Sequence, residues 1–271
     1  MAPQDPEFEI RVRAKSIGFA EPPHVVSGLL RESRFSVPKG RTIKFDGARL
    51  ERVDFSGQTF HHFMAEGSIF QGCDFSRTKF TVAASVGTHR QTVFTECTFE
   101  RADLRHFAFL LGDTRFERCT FRDCKIKGWQ SLCTEVIDCV FDTQIESSIF
   151  FGIPESVCGV ARTRNEFHGN DFSRADLVDT SFRGGIDFKR QRWPESEGYR
   201  VYDRWPVRHA NALNTVERWP PSHRRTRALR MLAIWAPSPF SADDDKLVSP
   251  KSMTNFGADI RIALLELFDR A

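Results

Sequence analysis

The chain of 271 residues is poor in tyrosine and methionine, with 2 and 4 residues, whereas it contains 26 phenylalanines. This bias indicates that one packing environment for phenylalanine is used many times. Long apolar runs are also missing: the longest, Met231 to Ala236, spans six residues, and a membrane helix needs about 20. The first twenty residues are charged and lack an apolar stretch. We therefore expect no signal peptide, no membrane association and a cytoplasmic location.

Motifs of common catalytic sites are missing too. The sequence has no glycine-rich phosphate loop, no nucleophile-elbow motif and no zinc-protease helix. Cys119 and Cys124 are five residues apart, whereas paired zinc ligands are usually separated by about two to four residues. His61, His62 and His106 lie beside the repeat positions described below, and we expect them to face outward. We predict a protein that is not an enzyme and binds neither metal nor cofactor.

Cysteine is present in an odd number, seven, in a chain too large to depend on disulfides for its core. Reduced thiols in a cytoplasm are the simpler interpretation. Five of the cysteines are predicted to pack inward: Cys73, Cys97, Cys119, Cys124 and Cys139.

Charge is unevenly distributed along the chain. Residues 1–44 carry 8 basic and 5 acidic side chains, residues 45–188 carry 16 and 21, and residues 189–271 carry 15 and 10. The formal charges are therefore +3, −5 and +5, which sum to the net charge of +3. An acidic middle lies between two basic ends.

Phenylalanine recurs every five residues through the middle of the chain. Sixteen of the 20 phenylalanines between residues 45 and 188 lie on this spacing, where chance would place about a fifth of them. The residue two positions earlier is usually small, as at Ala48, Ser68 and Cys97. The positions predicted to form the inward ladder are Phe45, Leu50, Phe55, Phe60, Phe70, Phe75, Phe80, Phe94, Phe99, Leu104, Phe109, Phe116, Phe121, Ile126, Phe141, Phe150, Phe167, Phe172, Leu177 and Phe182.

A period of five fits neither regular element alone. Five residues rotate a helical side chain by about 140°, so the rings would spiral around a helix. On a flat strand, residues five apart point to opposite faces. Both conflicts disappear if the chain turns a corner every five residues, so that four pentads form one square coil and coils stack about 4.8 Å apart.

The pattern resembles the pentapeptide-repeat family, in which an Ala-Asp/Asn-Leu core is followed by two variable residues. The best matches are Ala102-Asp103-Leu104, Ala175-Asp176-Leu177 and Gly47-Ala48-Arg49-Leu50, with Phe-centred variants such as Cys73-Asp74-Phe75. The resemblance covers residues 45–188 and implies an all-β, right-handed quadrilateral β-helix. Some members of the family are similar to duplex DNA in shape and charge, bind DNA gyrase or related topoisomerases, and protect them from inhibitors. This sequence departs from that group in its mild acidity, its interruptions and its basic tail.

Breaks in the spacing predict loops that leave the coil. After Phe80 the ladder resumes only at Phe94, after Phe109 at Phe116, and after Phe150 at Phe167. Loops on a rigid scaffold often carry recognition, although a tolerated insertion is the alternative. The predicted interaction loop lies within residues 81–93 and consists of Val86, Gly87, Thr88, His89 and Arg90.

The two ends are predicted to cap the coil, since an open coil end exposes backbone and phenylalanine. Residues 1–44 form the N-terminal cap, with a short strand at Phe8, Ile10 and Val12. Residues 189–271 form a small α-helical region, with one helix from Pro206 and another capped by Ser222. Its apolar residues serve either as a cap or as a homodimer surface. These residues are Leu229, Leu232, Trp235, Ile260, Leu264 and Phe268.

We expect a non-catalytic, macromolecule-binding surface, and a protein-interaction scaffold is the favoured function. The first alternative is a DNA mimic that binds a type II topoisomerase such as gyrase and confers antibiotic resistance. The second is association with nucleic acid through the basic ends. Arg224, Arg225, Arg227 and Arg230 could contact nucleic acid, but four arginines on one helix more often form a solvated face, so direct nucleic-acid binding is not expected.

Overall fold

The computed structural model describes residues 22–107, 110–237, 245–252 and 256–270. The strands are β1 (His24–Val26), β2 (Leu29–Arg31), β3 (Thr42–Asp46), β4 (Arg49–Glu51), β5 (Thr59–Glu66), β6 (Ile69–Gln71), β7 (Lys79–Val86), β8 (Thr92–Thr95), β9 (Thr98–Glu100), β10 (Leu110–Leu111), β11 (Thr114–Glu117), β12 (Thr120–Lys127), β13 (Gln130–Ser131), β14 (Thr134–Ile137), β15 (Val140–Glu146), β16 (Ile149–Phe151), β17 (Phe167–His168), β18 (Asp176–Val178), β19 (Ser181–Arg183), β20 (Arg200–Tyr202) and β21 (Lys246–Val248). The helices are α1 (Trp205–Glu217), α2 (His223–Ile234) and α3 (Ala258–Asp269), and short 3-10 turns lie at Ser156–Cys158 and Phe188–Arg190.

The strands wind into a four-sided coil in which every side is a parallel sheet. The first side contains the sheet β1-β3-β5-β7-β10 and, further along, β13-β16-β19. The second side is the seven-stranded sheet from β2 to β17. The sheet β9-β12-β15-β18 serves the third side, where Phe121 pairs with Phe99 and Phe141, and the fourth side, where Ile126 pairs with Ile145. Leu50 pairs in register with Phe70, which lies four pentads later in the sequence. The predicted all-β, four-sided coil with a helical C-terminal region is confirmed.

The predicted ladder positions fill the interior of the coil. Each one that the structure describes is at most 6 % exposed, whereas Phe109 lies outside the described residues. On the third side the rings stack almost parallel: Phe99 and Phe121 have centroids 4.9 Å apart, and Phe121 and Phe141 4.8 Å apart. Offset stacking of this kind stabilises aromatic pairs beyond the area that they bury.

Three large core residues occupy positions where the sequence pattern did not place a ring. Phe63 is buried two residues before Ala65, and Trp129 is buried two residues before Ser131. In both pentads the large and small side chains have exchanged places, so the volume inside the coil is conserved. Phe107 is also fully buried, and its ring centroid lies 4.7 Å from that of Phe80.

Parallel pairing begins before residue 45. Strand β1 pairs with β3 and places Val26 beside Phe45, and β2 pairs with β4 and places Leu30 beside Leu50. Residue 45 therefore marks the start of the phenylalanine spacing, whereas a coil already precedes it within the segment predicted as a cap. The strand expected at Phe8, Ile10 and Val12 lies outside the described residues.

The helices form a second core at the C-terminal end of the coil. Trp205 of α1, Leu232 of α2 and Ile260 of α3 are at most 2 % exposed and belong to this core. Strands β20 and β21 join it to the coil, where Ser249 donates a hydrogen bond to the carbonyl oxygen of Leu177 and Lys251 pairs with Asp176. This arrangement closes the last coil.

The predicted homodimer surface is used inside the molecule. Leu232, Trp235, Ile260, Leu264 and Phe268 are at most 4 % exposed, and Leu229 packs against them. Three short amphipathic helices cover one another because each has an apolar face. Of the two interpretations, capping is therefore the one that these side chains fit, and a homodimer stays a prediction.

Candidate interaction surface

The interior of the coil is filled with rings, so a macromolecule can be recognised only on its outside. Along the third side the stack runs from Phe55 to Trp193 with neighbouring centroids separated by 4.6 to 5.2 Å. Within the described residues, no group of three or more His, Cys, Asp or Glu side chains is arranged to hold a metal ion. No helix among those residues is long and apolar enough to cross a membrane.

The five unpaired thiols lie inside the coil, as predicted. Cys73, Cys97, Cys119 and Cys139 occupy one column, each two residues before a ring of the third side, and Cys124 lies on the next side. Burial raises the pKa of Cys124 to about 12, since a thiolate is poorly solvated there. All five side chains are at most 6 % exposed, so they act as small packing groups.

Carboxylates on the outer surface alternate with arginines and lysines from neighbouring coils. Arg118, for example, lies 3.1 Å from Glu96 on the preceding coil. Further pairs between coils are Arg31–Glu51 (2.7 Å), Arg34–Asp54 (3.0 Å), Arg122–Asp142 (3.5 Å), Lys127–Glu146 (2.6 Å) and Arg192–Asp171 (2.9 Å). The acidic charge of residues 45–188 is thus interleaved with basic charge instead of forming a continuous stripe.

Two of the three predicted interruptions leave the coil at the same corner, between its first and second sides. On the second side Phe70 pairs with Phe94 and Val136 pairs with Phe167, so each of these two turns is longer than four pentads. The extra residues fall largely at 87–91 and 152–166, which we call the loop edge. The break between Phe109 and Phe116 lies at another corner, because Leu111 pairs with Val86.

The first loop is shorter than expected and is held by one carboxylate. Val86 is fully buried and pairs with Ala65, so it belongs to the coil and not to the predicted interaction loop. The Glu66 carboxylate accepts hydrogen bonds from the backbone N–H groups of Thr88 (3.0 Å), His89 (3.0 Å) and Arg90 (3.3 Å). The side chains of these three residues are exposed on a fixed backbone.

Gly87 begins this loop with a φ of +66°, and a Cβ atom there would lie 2.0 Å from the carbonyl oxygen of Asp113. Only glycine fits both this left-handed conformation and this close approach. The Arg90 guanidinium reaches back to pair with Asp46. The pKa of the Asp46 carboxyl is lowered by hydrogen bonds from Lys44 and Arg90.

The second loop is attached to the coil by a disulfide and by buried polar side chains. Cys133 and Cys158 are joined, with Cα atoms 6.3 Å apart, so the expectation of reduced thiols is wrong for this pair. The Asn165 side chain donates to the carbonyl oxygens of Leu132 (3.2 Å) and Phe151 (2.9 Å). Arg162 donates to Asn165 (3.0 Å) as well.

The two loops share a charged network beneath them. The Asp113 carboxylate accepts from Gln91 (3.0 Å) of the first loop and from Arg162 (2.7 Å) of the second. Gln91 also donates to Glu135 (3.1 Å), which lies 3.7 Å from Arg162. The loop edge is therefore one connected surface, although its two parts are distant in sequence.

Apolar side chains and a groove are exposed at the loop edge. Val157 is 76 % exposed and Ile153 is 39 % exposed. A groove of about 410 Å³ begins at Gly152, the residue before Ile153, and its charged lining residues are Arg164, Glu166, His168, Asp187 and Arg190. These apolar and charged groups are available for contact with another molecule.

No family model and no curated protein matches this chain. Three solved structures of QnrB1, a plasmid-mediated fluoroquinolone resistance protein, are similar to this chain. The matches cover 63 %, 64 % and 64 % of this chain and 79 %, 90 % and 92 % of the respective QnrB1 chains. Sequence identity is 16 %, 15 % and 15 %, and the TM-scores are 0.25, 0.28 and 0.22. Superposition at this level supports no functional argument. By its own geometry, the chain has the four-sided parallel coil and the inward pentad centres of a pentapeptide-repeat β-helix.

Proposed function

We propose that this chain is a non-catalytic scaffold that docks a protein partner on the loop edge. The observation that carries the proposal is the convergence of residues 87–91 and 152–166 at one corner through Asp113, Glu135 and Arg162. The coil supplies a rigid support, and the loops supply the variable surface.

The loop edge is suited to a protein because its backbone is fixed before binding. Three N–H groups are bound by Glu66, and the second loop is attached by the Cys133–Cys158 disulfide. Little conformational entropy is lost when such a surface is covered, so less of the favourable contact energy is offset on binding. Val157 and Ile153 supply the apolar contacts, and the charged groove beside them supplies specificity.

The main alternative is a DNA mimic that binds a type II topoisomerase. Mimicry needs a continuous line of negative charge, since duplex DNA carries one charge per about 1.7 Å. The ion pairs between coils interrupt such a line at Glu51, Asp54, Glu96, Asp142 and Glu146. This pairing favours a scaffold over a mimic.

Site-specific photo-cross-linking tests the proposal. A photoreactive amino acid at position 157, on the loop edge, is compared with one at position 140, where the exposed Val140 lies on the third side of the coil. In cells that express the protein, we expect a discrete protein adduct from position 157 and none from position 140. Val157→Asp should abolish an adduct formed from position 153. Equal adducts from positions 157 and 140, or none from either, would contradict docking on the loop edge.

A gyrase supercoiling assay separates the two functions. The protein is added to gyrase with and without an inhibitor that traps the cleaved DNA complex. For a scaffold we expect supercoiling and inhibition to be unchanged. Protection of gyrase, or its inhibition by the protein alone, would instead establish the mimic.

A further inference from the structure

Positive charge is concentrated where α1 ends and α2 begins. The arginine patch consists of Arg218, Arg224, Arg225, Arg227 and Arg230, and its neighbour Glu217 is the one carboxylate between residues 216 and 235. Arg218, Arg224 and Arg230 have exposed side chains. Lysine does not occur in this segment. Much of the excess charge of the C-terminal region therefore lies in one short segment.

The patch differs from the coil in how its arginines are paired. On the coil, arginines such as Arg118 and Arg192 lie within 4.0 Å of a carboxylate. In the part of the chain that the structure describes, none of the five patch arginines has such a partner. Arg225 donates to the backbone oxygen of Glu217 (3.2 Å), and its Nε is buried without a hydrogen-bond partner. The patch thus presents uncompensated positive charge.

This arrangement is unfavourable for the free helix. The first turn of α2 contains His223, Arg224 and Arg225 and no acidic residue, although the positive end of the helix dipole favours anions there. Ser222 caps the helix by accepting a hydrogen bond from the Arg225 N–H. The cap is therefore of a common type, and the unfavourable feature is the positive charge of the first turn. A bound polyanion would relieve the repulsion.

An aromatic ring lies within the patch. The Arg224 guanidinium is 5.2 Å from the ring centroid of Trp219, and Trp219 is only partly buried. Arginine binds phosphate in a planar, bidentate geometry that lysine cannot reproduce. Exposed aromatic rings beside arginine are the usual platform for an unpaired base.

We infer that the arginine patch binds single-stranded nucleic acid, with the arginines on phosphates and Trp219 against a base. The sequence alone suggested a solvated arginine face. The absence of carboxylate partners among the described residues and the ring beneath Arg224 lead to the different conclusion. This site is separate from the loop edge, so it does not depend on the proposed docking function.

Fluorescence anisotropy with the full chain tests the inference. The probes are a labelled 20-nucleotide oligo-dT and a 20-base-pair duplex, each titrated between about 50 and 200 mM NaCl. The patch variant is Arg218→Gln/Arg224→Gln/Arg230→Gln. It should weaken oligo-dT binding about tenfold or more at low salt and reduce the magnitude of the slope of log K against log salt by about 2, since each lost phosphate contact contributes about 0.7.

The matched control removes the same charge from the coil by Arg122→Gln/Arg174→Gln/Arg183→Gln. We expect it to bind like the wild type, and circular dichroism checks that both variants are folded. Trp219→Leu keeps an apolar group against the helices and should weaken oligo-dT about fivefold or more, with little effect on the duplex.

Three results would overturn the inference. One is no binding of either probe at about 100 µM protein in 50 mM NaCl. Another is equal weakening by the patch and control variants. The third is binding of poly-glutamate in place of oligo-dT, which would assign the patch to an acidic protein. Equal affinity for duplex and single strand, with Trp219→Leu harmless, would overturn the assignment to single strands.

Discussion

At the scale of single residues, the coil depends on a continuous column of rings. Phe121 is fully buried between Phe99 and Phe141, with interplanar angles of 7° and 4°. It also meets Trp129 edge-on at 5.7 Å. The rings on both sides are fixed by parallel backbone pairing, so they cannot move to fill a gap.

Phe121→Ala should therefore lower the free energy of unfolding by about 3–5 kcal/mol, as large cavities in rigid cores do. Phe256→Ala is the comparison, because Phe256 only packs against the edge of the helical core. It should cost about 1 kcal/mol or less. Urea unfolding measures both, and equal, mild losses would show that residue 121 is not a structural ring.

Much of the core could be predicted from the spacing, because one residue in five must point inward on every side. The exceptions have a physical reason. In the pairs Phe63–Ala65 and Trp129–Ser131 the large side chain comes two residues before the small one, so the enclosed volume is kept. A pattern that seeks a ring at each pentad centre therefore misses Phe63 and Trp129. The network of Gln91, Asp113, Glu135 and Arg162 was also missed, since nothing in the sequence indicates that residues so far apart meet at one corner.

At the scale of elements, the straight sides and the loops are stabilised in different ways. The sides depend on parallel backbone pairing and ring stacking. The second loop depends on one disulfide, on Asn165 and on Arg162. The starts of α1 and α2 could be predicted closely from Pro206 and Ser222, because capping residues act locally. The course of residues 152–166 could not, because it is set by contacts that are distant in sequence.

Cys133→Ser/Cys158→Ser should destabilise the chain by about 2–4 kcal/mol, because the disulfide closes a segment with a separation of 25 residues. Trypsin should then cut after Arg162 or Arg164, which the attached loop protects. The measurement is limited proteolysis with mass spectrometry, with and without a dithiol reductant. The reductant should have the same effect on the wild type and none on the variant, and an uncut loop in the reduced wild type would contradict the role of the disulfide.

At the scale of the whole molecule, a mildly acidic coil, in which carboxylates alternate with basic side chains, is joined to a basic helical region. Hydrogen bonds from neighbouring side chains lower the pKa values of several coil carboxyls. The donors are Lys44 for Asp46, Arg31 for Glu51, Ser56 for Asp54 and Arg105 for Asp103. Each is individually a weak surface interaction. Together they make the coil dependent on ionised carboxylates.

Stability should therefore depend on pH in the acid range. The ordinary pKa values are 3.8 for Asp and 4.5 for Glu, and the folded values are lower. The contribution of these groups is complete above about pH 4.5 and is lost as the pH falls through the lowered folded values. Thermal unfolding from pH 7 to 2.5 should show a constant melting temperature down to about pH 5 and a decline below it. A rise in melting temperature below pH 4.5 would contradict this sign.

At the corner that carries both loops, the number of residues between paired strands varies, whereas the pairing of the strands is constant. Val136 and Phe167 remain paired although the segment between them is longer than one regular turn of the coil, so the stack tolerates added length there without losing register. New sequence inserted at this corner would change the exposed surface of the molecule, and the ring column would continue to fold as before.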